Sequence, residues 1–486
     1  MRDKCMMDFN KASEENLLIY GKPSRIKYTS ILFPYLHSLI VSGNSFVVTD
    51  PESKILAAHG DLLLENGYRI VSINSRHVEQ SNCWNPMFIP YQVFKNGEID
   101  LCVNLLNDIA TNIMSDGVTD KETDPFWTLS SIDLFVGLSL LLFQESTDIE
   151  QINVKSVYYM GLKGFDKFGS STILKEYFER INKDFAIAAE AISTVMAAPN
   201  DTRSSILSVF SQKIRAFTGN GRFVNNLSTN GFDLDELLNY KTAFFLVYED
   251  EKSMKIPYVN IFIRQIFEML VKKRTSEILN YPDFHIVFTS FLSLGIFPDL
   301  DGLILSCSNR NIKLLFDISN YNLLNKLYGK YSSELIFSFC PSWVVFSTRE
   351  LEMLGHIESL LKYSGADSSL VNKLPFELSE NEYMFFTDGV IPDVCSINDS
   401  SAYNYTYLHK PSQTGTVNIA VFRIDEFVKE KLQHNIFNPY TNINVKNNIS
   451  EPVDEMINQI NRKIAALEIA EKFERAKSIN TREKKD

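Results

Sequence analysis

The sequence predicts an α/β fold with a mainly parallel central sheet, interrupted by an all-helical insertion. Three observations predict it. Strand-like and helix-like runs alternate from Asn16 to Ile73, helical periods almost without strand signal fill the stretch from about Leu105 to Phe217, and strand-type runs resume at Thr242. Strands joined through helices need crossover connections, and crossovers place neighbouring strands parallel.

Asn16-Leu17-Leu18-Ile19-Tyr20 is a short apolar run that meets a turn at Gly21, and apolar residues recur at helical spacing from Tyr28 to Ile40. Ser45-Phe46-Val47-Val48-Thr49, closed by Asp50-Pro51, reads as a second buried strand. A helix from Glu52 to Glu65 ends at Asn66-Gly67, and Tyr68 to Ile73 supplies a third strand. The insertion carries helical segments at Trp127 to Phe143, Ser170 to Ile181 and Ser204 to Phe217. Runs at Thr242 to Val247, His285 to Phe288, Lys313 to Phe316 and Trp343 to Phe346 then complete the sheet, with an amphipathic helix from Pro257 to Lys273. Beyond Val421 the chain becomes polar, is Asn-rich from Asn435 to Asn448, and closes with a helix over Val453 to Lys477. The expected organisation is a first part of the α/β domain at 1–104, an inserted helical subdomain at 105–217, the second part at 218–425, and a polar linker with its helix at 426–486. No period of 20–50 residues repeats, which excludes a solenoid.

With 486 residues, 45% of them hydrophobic, the chain can build one large core or two to three domains. Apolar stretches such as Val136 to Phe143 fall short of the roughly 20 residues that cross a bilayer, so no transmembrane segment is expected. The N-terminus mixes both charges and has no signal-peptide core, which makes the cytoplasm the expected compartment, with recruitment to the inner face of the membrane left open. Net charge is −12 and the isoelectric point is near 5.3. Basic residues concentrate only at Lys272-Lys273-Arg274 and from Lys472 to Lys485. A protein gripping duplex DNA through phosphates shows a broader basic face, so strong direct duplex binding is not expected. Six cysteines (Cys5, Cys83, Cys102, Cys307, Cys340, Cys395) and seven histidines lack the spacing of a zinc site or a disulfide framework, and no metal site is expected.

Several short motifs follow one another in order. Val47-Val48-Thr49-Asp50-Pro51-Glu52-Ser53-Lys54 closes the second strand, Trp84-Asn85-Pro86-Met87 follows the third, and Asp124-Pro125-Phe126-Trp127 opens the helical insertion. Gly295 to Asp299, Tyr328-Gly329 and a helix over Ile457 to Glu468 continue the series. Together they resemble the TraG/TraD-like coupling proteins of conjugative type IV secretion systems over roughly Asn16 to Glu468. That family carries V-V-x-D-P-K-G-E, W-N-P-L, D-P-F-W and I-G-x-I-P-x-F at the corresponding places. The resemblance implies a RecA-like P-loop NTPase fold. The family's usual N-terminal membrane anchor has no counterpart here, so membrane attachment does not carry over.

The same comparison shows what has been lost. A P-loop, G-x-x-x-x-G-K-[ST], wraps phosphates in backbone N–H groups, reaches them with its lysine and holds magnesium with its hydroxyl. Here it reads Gly21-Lys22-Pro23-Ser24-Arg25-Ile26-Lys27-Tyr28. Gly21 and Lys27 keep their separation, Ile26 and Tyr28 replace the second glycine and the hydroxyl, and Thr29 stands one residue late. Pro23 removes a backbone donor. The strand that should end in Asp-Glu ends in Thr289-Ser290, which can neither support magnesium nor act as a base at neutral pH. Of the family's G-R-S-R-N-I only Arg310 remains as a residual arginine, in Cys307-Ser308-Asn309-Arg310-Asn311-Ile312, and Leu315 to Leu324 has no glutamine sensor.

These losses point to a catalytically degenerate member, a pseudo-ATPase that works as a docking or substrate-recognition module for DNA transfer or protein export. The nucleotide-binding remnants are Gly21, Lys27 and Thr29. Residual ATP binding without efficient hydrolysis stays open. By resemblance the partners are type IV secretion or relaxosome components, with room for an intact paralogous ATPase and for a homo- or hetero-oligomeric ring. Two alternatives stay open: an unconventional or subunit-completed ATPase that uses Lys27, and a structural relict that binds nothing of the channel. Trp84, Trp127 and Trp343 read as packing aromatics, Asp50-Pro51 as a strand terminus, and Glu249-Asp250-Glu251 as a surface loop.

Overall fold

The computed structural model describes residues 8–115, 124–182, 186–219, 221–249, 257–275, 282–363, 378–387, 390–397, 403, 405–411 and 418–437. Cys5, Asp250, Glu251 and the expected helices over Val453 to Lys477 and Ile457 to Glu468 lie outside the described residues. The chain divides into a unit of residues 1–428 and one of residues 429–486, and the architecture below is that of the first.

The first three strands are β1 (Leu17–Tyr20), β2 (Ser45–Thr49) and β3 (Arg69–Asn74). A small hairpin follows from β4 (Lys167–Phe168) and β5 (Ser171–Thr172), then β6 (Thr242–Val247), β7 (Phe284–Phe288), β8 (Ile312–Ile318), β9 (Ser342–Val345), β10 (Glu382–Thr387) and β11 (Val390–Ser396). Nine of them form one sheet in the order β11-β10-β9-β1-β8-β7-β2-β6-β3. Every pairing from β9 to β3 is parallel. β1, β6 and β7 are buried along their whole length, and β2 and β8 at all but one position each, as expected of a sheet covered on both faces.

Two differences from the sequence expectation stand out. The sheet does not end with the run at Trp343, because β10 pairs antiparallel with β9 and carries β11 at the edge. Its register shifts between Phe385 and Thr387, and such an irregular edge hairpin leaves no long apolar run to read. Within the insertion, Ser170 to Ile181 begins with the β5 residues Ser171–Thr172 before a helix starts at Ile173.

Between β3 and β6 the described residues outside the small hairpin fold into helices around Pro125–Glu145, which packs against Ile99–Met114, Val154–Lys163, Ala186–Ala197 and Asn200–Lys213. Asp124 caps its first turn, accepting from the Phe126 N–H at 3.0 Å, and Pro125 sits where a missing donor costs nothing. At 21 residues it is the one helix among the described residues long and apolar enough to cross a membrane, and 72% of its apolar window is buried inside the protein. Its run from Leu134 to Phe143 is buried on every side, which explains why the sequence there shows no polar stripe.

Candidate functional site

Parallel strands present their C-terminal ends together, and helices that start there aim their N-termini at the same place. At the end of β1 the chain turns at Gly21, whose φ is +143°, and a β-carbon on it would fall 2.7 Å from the Phe346 side chain. Only glycine fits both conditions. Ser24 then caps the following helix, its Oγ accepting from the Lys27 N–H at 3.2 Å. One α-turn, Arg25–Lys27, opens into a π-helical turn, Tyr28–Leu32, before the regular helix Phe33–Ser42. A π-turn of this kind often marks a functional position.

Lys27 is turned inward, with a side chain 2% exposed. Its Nζ donates to the Gly21 carbonyl at 2.8 Å and forms an ion pair with Asp317 of β8. The pairing follows from register, since Ile19 of β1 stands beside Asp317. The other carboxylate oxygen, Oδ2, accepts from the Ser290 N–H at 3.3 Å. Thus β1, β8 and the end of β7 converge on one buried charge pair.

The end of β7 is closed by hydroxyls. The Thr289 N–H donates to Thr49 Oγ1 at 2.8 Å, Thr49 Oγ1 donates to the Thr289 carbonyl at 2.9 Å, and Thr289 Oγ1 donates to the Thr49 carbonyl. Ser290 takes the left-handed conformation, φ +50°, and its Oγ lies 3.4 Å from the Tyr28 hydroxyl. Burial, then the negative charge of Asp317, drives the Tyr28 phenol well above its ordinary range, so it stays neutral. Thr29 bonds back into its own helix, its Oγ1 donating to the Arg25 carbonyl at 3.2 Å.

Asp50, at the end of β2, is buried and accepts from the Leu56 N–H at 2.9 Å, in the first turn of the helix Lys54–Glu65, whose N-cap position is Ser53. Desolvation pushes its carboxyl up to about 6 against the pull of the Leu56, Ile55 and Lys54 backbone N–H groups. Arg310 stands elsewhere. It precedes β8, whereas Asp317 lies near that strand's far end, so about five strand residues, roughly 17 Å, separate them. Its Nη1 donates to the Ser306 carbonyl at 2.7 Å.

A cavity of about 730 Å³ opens beside the Gly21 turn, lined among others by Arg25, Tyr28, Phe33, Glu52, His77 and Tyr407. Gly21, Lys27 and Ser290 therefore meet at one place with Tyr28, Thr289 flanks it, and Arg310 does not join them. Asp317 escaped the sequence reading, although a lone carboxylate inside the apolar run Leu314-Leu315-Phe316-Asp317-Ile318 was its signal. Glu350 escaped it too, and it accepts from the Tyr20 hydroxyl at 2.8 Å and from the Tyr321 N–H at 2.8 Å.

A triphosphate does not fit these residues as they stand. To reach Lys27 it must separate a buried ion pair, and Tyr28, Thr289 and Ser290 beside that pair offer no carboxylate to a divalent cation.

The family model for conjugative DNA transfer by type IV secretory systems matches residues 10–368. Among solved structures, the unbound monoclinic form of the bacterial conjugative coupling protein TrwBdeltaN70 is similar at a TM-score of 0.58 and 11% identity, covering 85% of this chain and 92% of that one. The plasmid coupling protein TrwB with the non-hydrolysable ATP analogue ADPNP gives 0.58 and 11%, covering 85% and 93%. TrwB with ADP and Mg²⁺ gives 0.57 and 12%, covering 85% and 92%. At these identities the likeness shows the fold, a RecA-like P-loop NTPase fold, and nothing of the chemistry. No curated protein matches the chain.

Proposed function

Since the chain belongs to the conjugative DNA-transfer family of type IV secretory systems, we propose that it serves there as a coupling-protein-like docking component whose own nucleotide site is inert. The observation that carries this reading is the state of Lys27. The P-loop lysine has one charge to offer, and Asp317 and the Gly21 carbonyl take it inside the protein. Hydroxyls at Thr289 and Ser290 supply neither a metal ligand set nor a general base, which phosphoryl transfer requires. TrwB has been solved with ADPNP and with ADP and Mg²⁺, and it is the preserved frame without those site residues that argues for a retained binding role.

On this reading the partners are type IV secretion or relaxosome components at the cytoplasmic face of the membrane, and an intact paralogue supplies ATP turnover. Residues 1–104 and 218–425 are taken as the RecA-like domain and residues 105–217 as the inserted helical subdomain; the polar linker expected from 426 gives way, over its described part, to the helix Ile424–Phe437. Two measurements test it. The purified full chain with ATP, magnesium and single-stranded DNA should release no phosphate above background, and tagged protein should co-purify with components of its own transfer system. Phosphate release that disappears in Lys27→Ala would assign an unconventional or subunit-completed ATPase instead. Failure to retain any encoded component would remove the docking role.

A further inference from the structure

We propose that Asp317 is a built-in anion, a carboxylate that occupies the electrostatic place of a phosphate at the P-loop turn and thereby keeps nucleotide out. The inference rests on the inert-site reading and says what makes the site inert.

Three features carry it. First, the donors that converge on Asp317 are of the kind that hold a phosphate oxygen: Lys27 Nζ reaches Oδ1, and a backbone N–H, that of Ser290, reaches Oδ2 at 3.3 Å. Second, the pair is buried, with side chains 2% and 6% exposed, so neither charge is screened by water. Third, the carboxylate is delivered by a central strand beside β1, held in register at Ile19, so no freedom is lost in bringing it to the lysine. An incoming phosphate must displace an anion already in place and leave it without its cation in a dry interior. The loss of magnesium ligands removes chemistry, whereas Asp317 removes the binding charge itself.

The variant Asp317→Asn keeps the shape and frees Lys27. Tripolyphosphate is the probe, compared with chloride at equal ionic strength, and binding is read by calorimetry and by the thermal midpoint of the full chain. Wild type should bind tripolyphosphate only weakly. Asp317→Asn should bind tripolyphosphate roughly 10–100-fold tighter than wild type, the span that charge-assisted hydrogen bonds provide. The gain should vanish in the double variant Lys27→Met/Asp317→Asn. If Asp317→Asn folds poorly alone, its refolding yield in tripolyphosphate against chloride makes the same comparison. Affinity no better than wild type, or a gain that survives loss of Lys27, overturns the proposal while an inert wild type stands. Wild type that binds and turns over ATP with magnesium overturns the inert-site reading itself.

Discussion

Gly60 and Tyr407 touch face to face: a β-carbon built on Gly60 would fall 2.1 Å from the Tyr407 ring. The contact clamps a segment far along the chain onto the helix Lys54–Glu65. The Tyr407 N–H donates to the Ala57 carbonyl at 3.3 Å, and the Tyr403 ring packs edge-on against Phe33 at 4.8 Å between centroids. Tyr405, Tyr407 and Leu408 then form a wall of the cavity beside the P-loop turn.

Gly60→Ala should therefore destabilise the protein by about 1–3 kcal/mol through overpacking, although alanine is the better helix former by about 1 kcal/mol. In a Tyr407→Ala background the same substitution should be neutral or stabilising. Denaturant titration of the four variants measures the coupling, and equal costs in both backgrounds would rule out the clamp.

The same segment should be acid-labile. His409 Nε2 lies 2.7 Å from Asn82 Oδ1, and burial pushes the imidazole down to about 4. A histidine held neutral in the fold takes up its proton later than in the unfolded chain, where it titrates near 6.5. Its contribution is complete above about pH 6.5 and is lost as pH falls toward 4. His409→Gln should flatten that part of the stability profile, and hydrogen exchange at residues 405–411 should quicken on acidification in wild type only.

Asp50 has the opposite sign. Its folded pKa of about 6 lies above the unfolded 3.8, so the unfolded chain loses its proton first as pH rises. Stability falls between about pH 4 and 6 and then levels off, with a penalty of about 3 kcal/mol when the shift of roughly two pH units is converted. Asn keeps an acceptor for the Leu56 N–H without the buried charge. The Asp50→Asn protein should gain on wild type by up to that amount from pH 4 to 7, and a difference independent of pH would refute the assignment.

What could be read from the sequence follows physical lines. β1, β2, β6 and β7 are mostly apolar runs, with His285 the one polar residue inside them, because both sheet faces are covered, and such runs announce themselves. The Gly21–Lys27 spacing was legible for the same local reason, because a turn and a first helical turn need no distant partner. Asp317 was not, since only the β1–β8 register brings it to Lys27 across some 290 positions of chain, a relation no local pattern encodes. The segment around Tyr407 has no period at all, and its one local trace was a glycine in mid-helix at Gly60, a residue that costs about 1 kcal/mol there unless close packing requires it.

Removing one member of the Lys27–Asp317 pair should cost more than removing both. Lys27→Met leaves a carboxylate buried without its cation, a loss of about 3–5 kcal/mol, whereas Lys27→Met/Asp317→Leu replaces the pair with apolar volume and should be the more stable variant. Chemical denaturation of both proteins decides it, and a double variant weaker than the single one would show that the pair is not the isolated unit described here.

Arg264 anchors a second charge cluster, between the helix Pro257–Thr275 and the helix Ile99–Met114. Its guanidinium meets Asp108 at 3.3 Å, Asp299 at 3.0 Å and Glu268 at 3.1 Å. Burial raises both Asp108 and Glu268, and the arginine pulls both back down. Asp299 is 61% exposed, so its share is small. Arg264→Met should leave mutually repelling carboxylates in a half-buried site and destabilise the protein by about 3 kcal/mol at pH 7. Arg264→Lys should recover only part of this, because a single ammonium cannot address three carboxylates in the fixed geometry of a guanidinium. Protonating Asp108 and Glu268 relieves the repulsion, so the deficit of Arg264→Met must shrink as pH falls toward 4. A deficit that stays constant with pH would mean the arginine contributes packing alone.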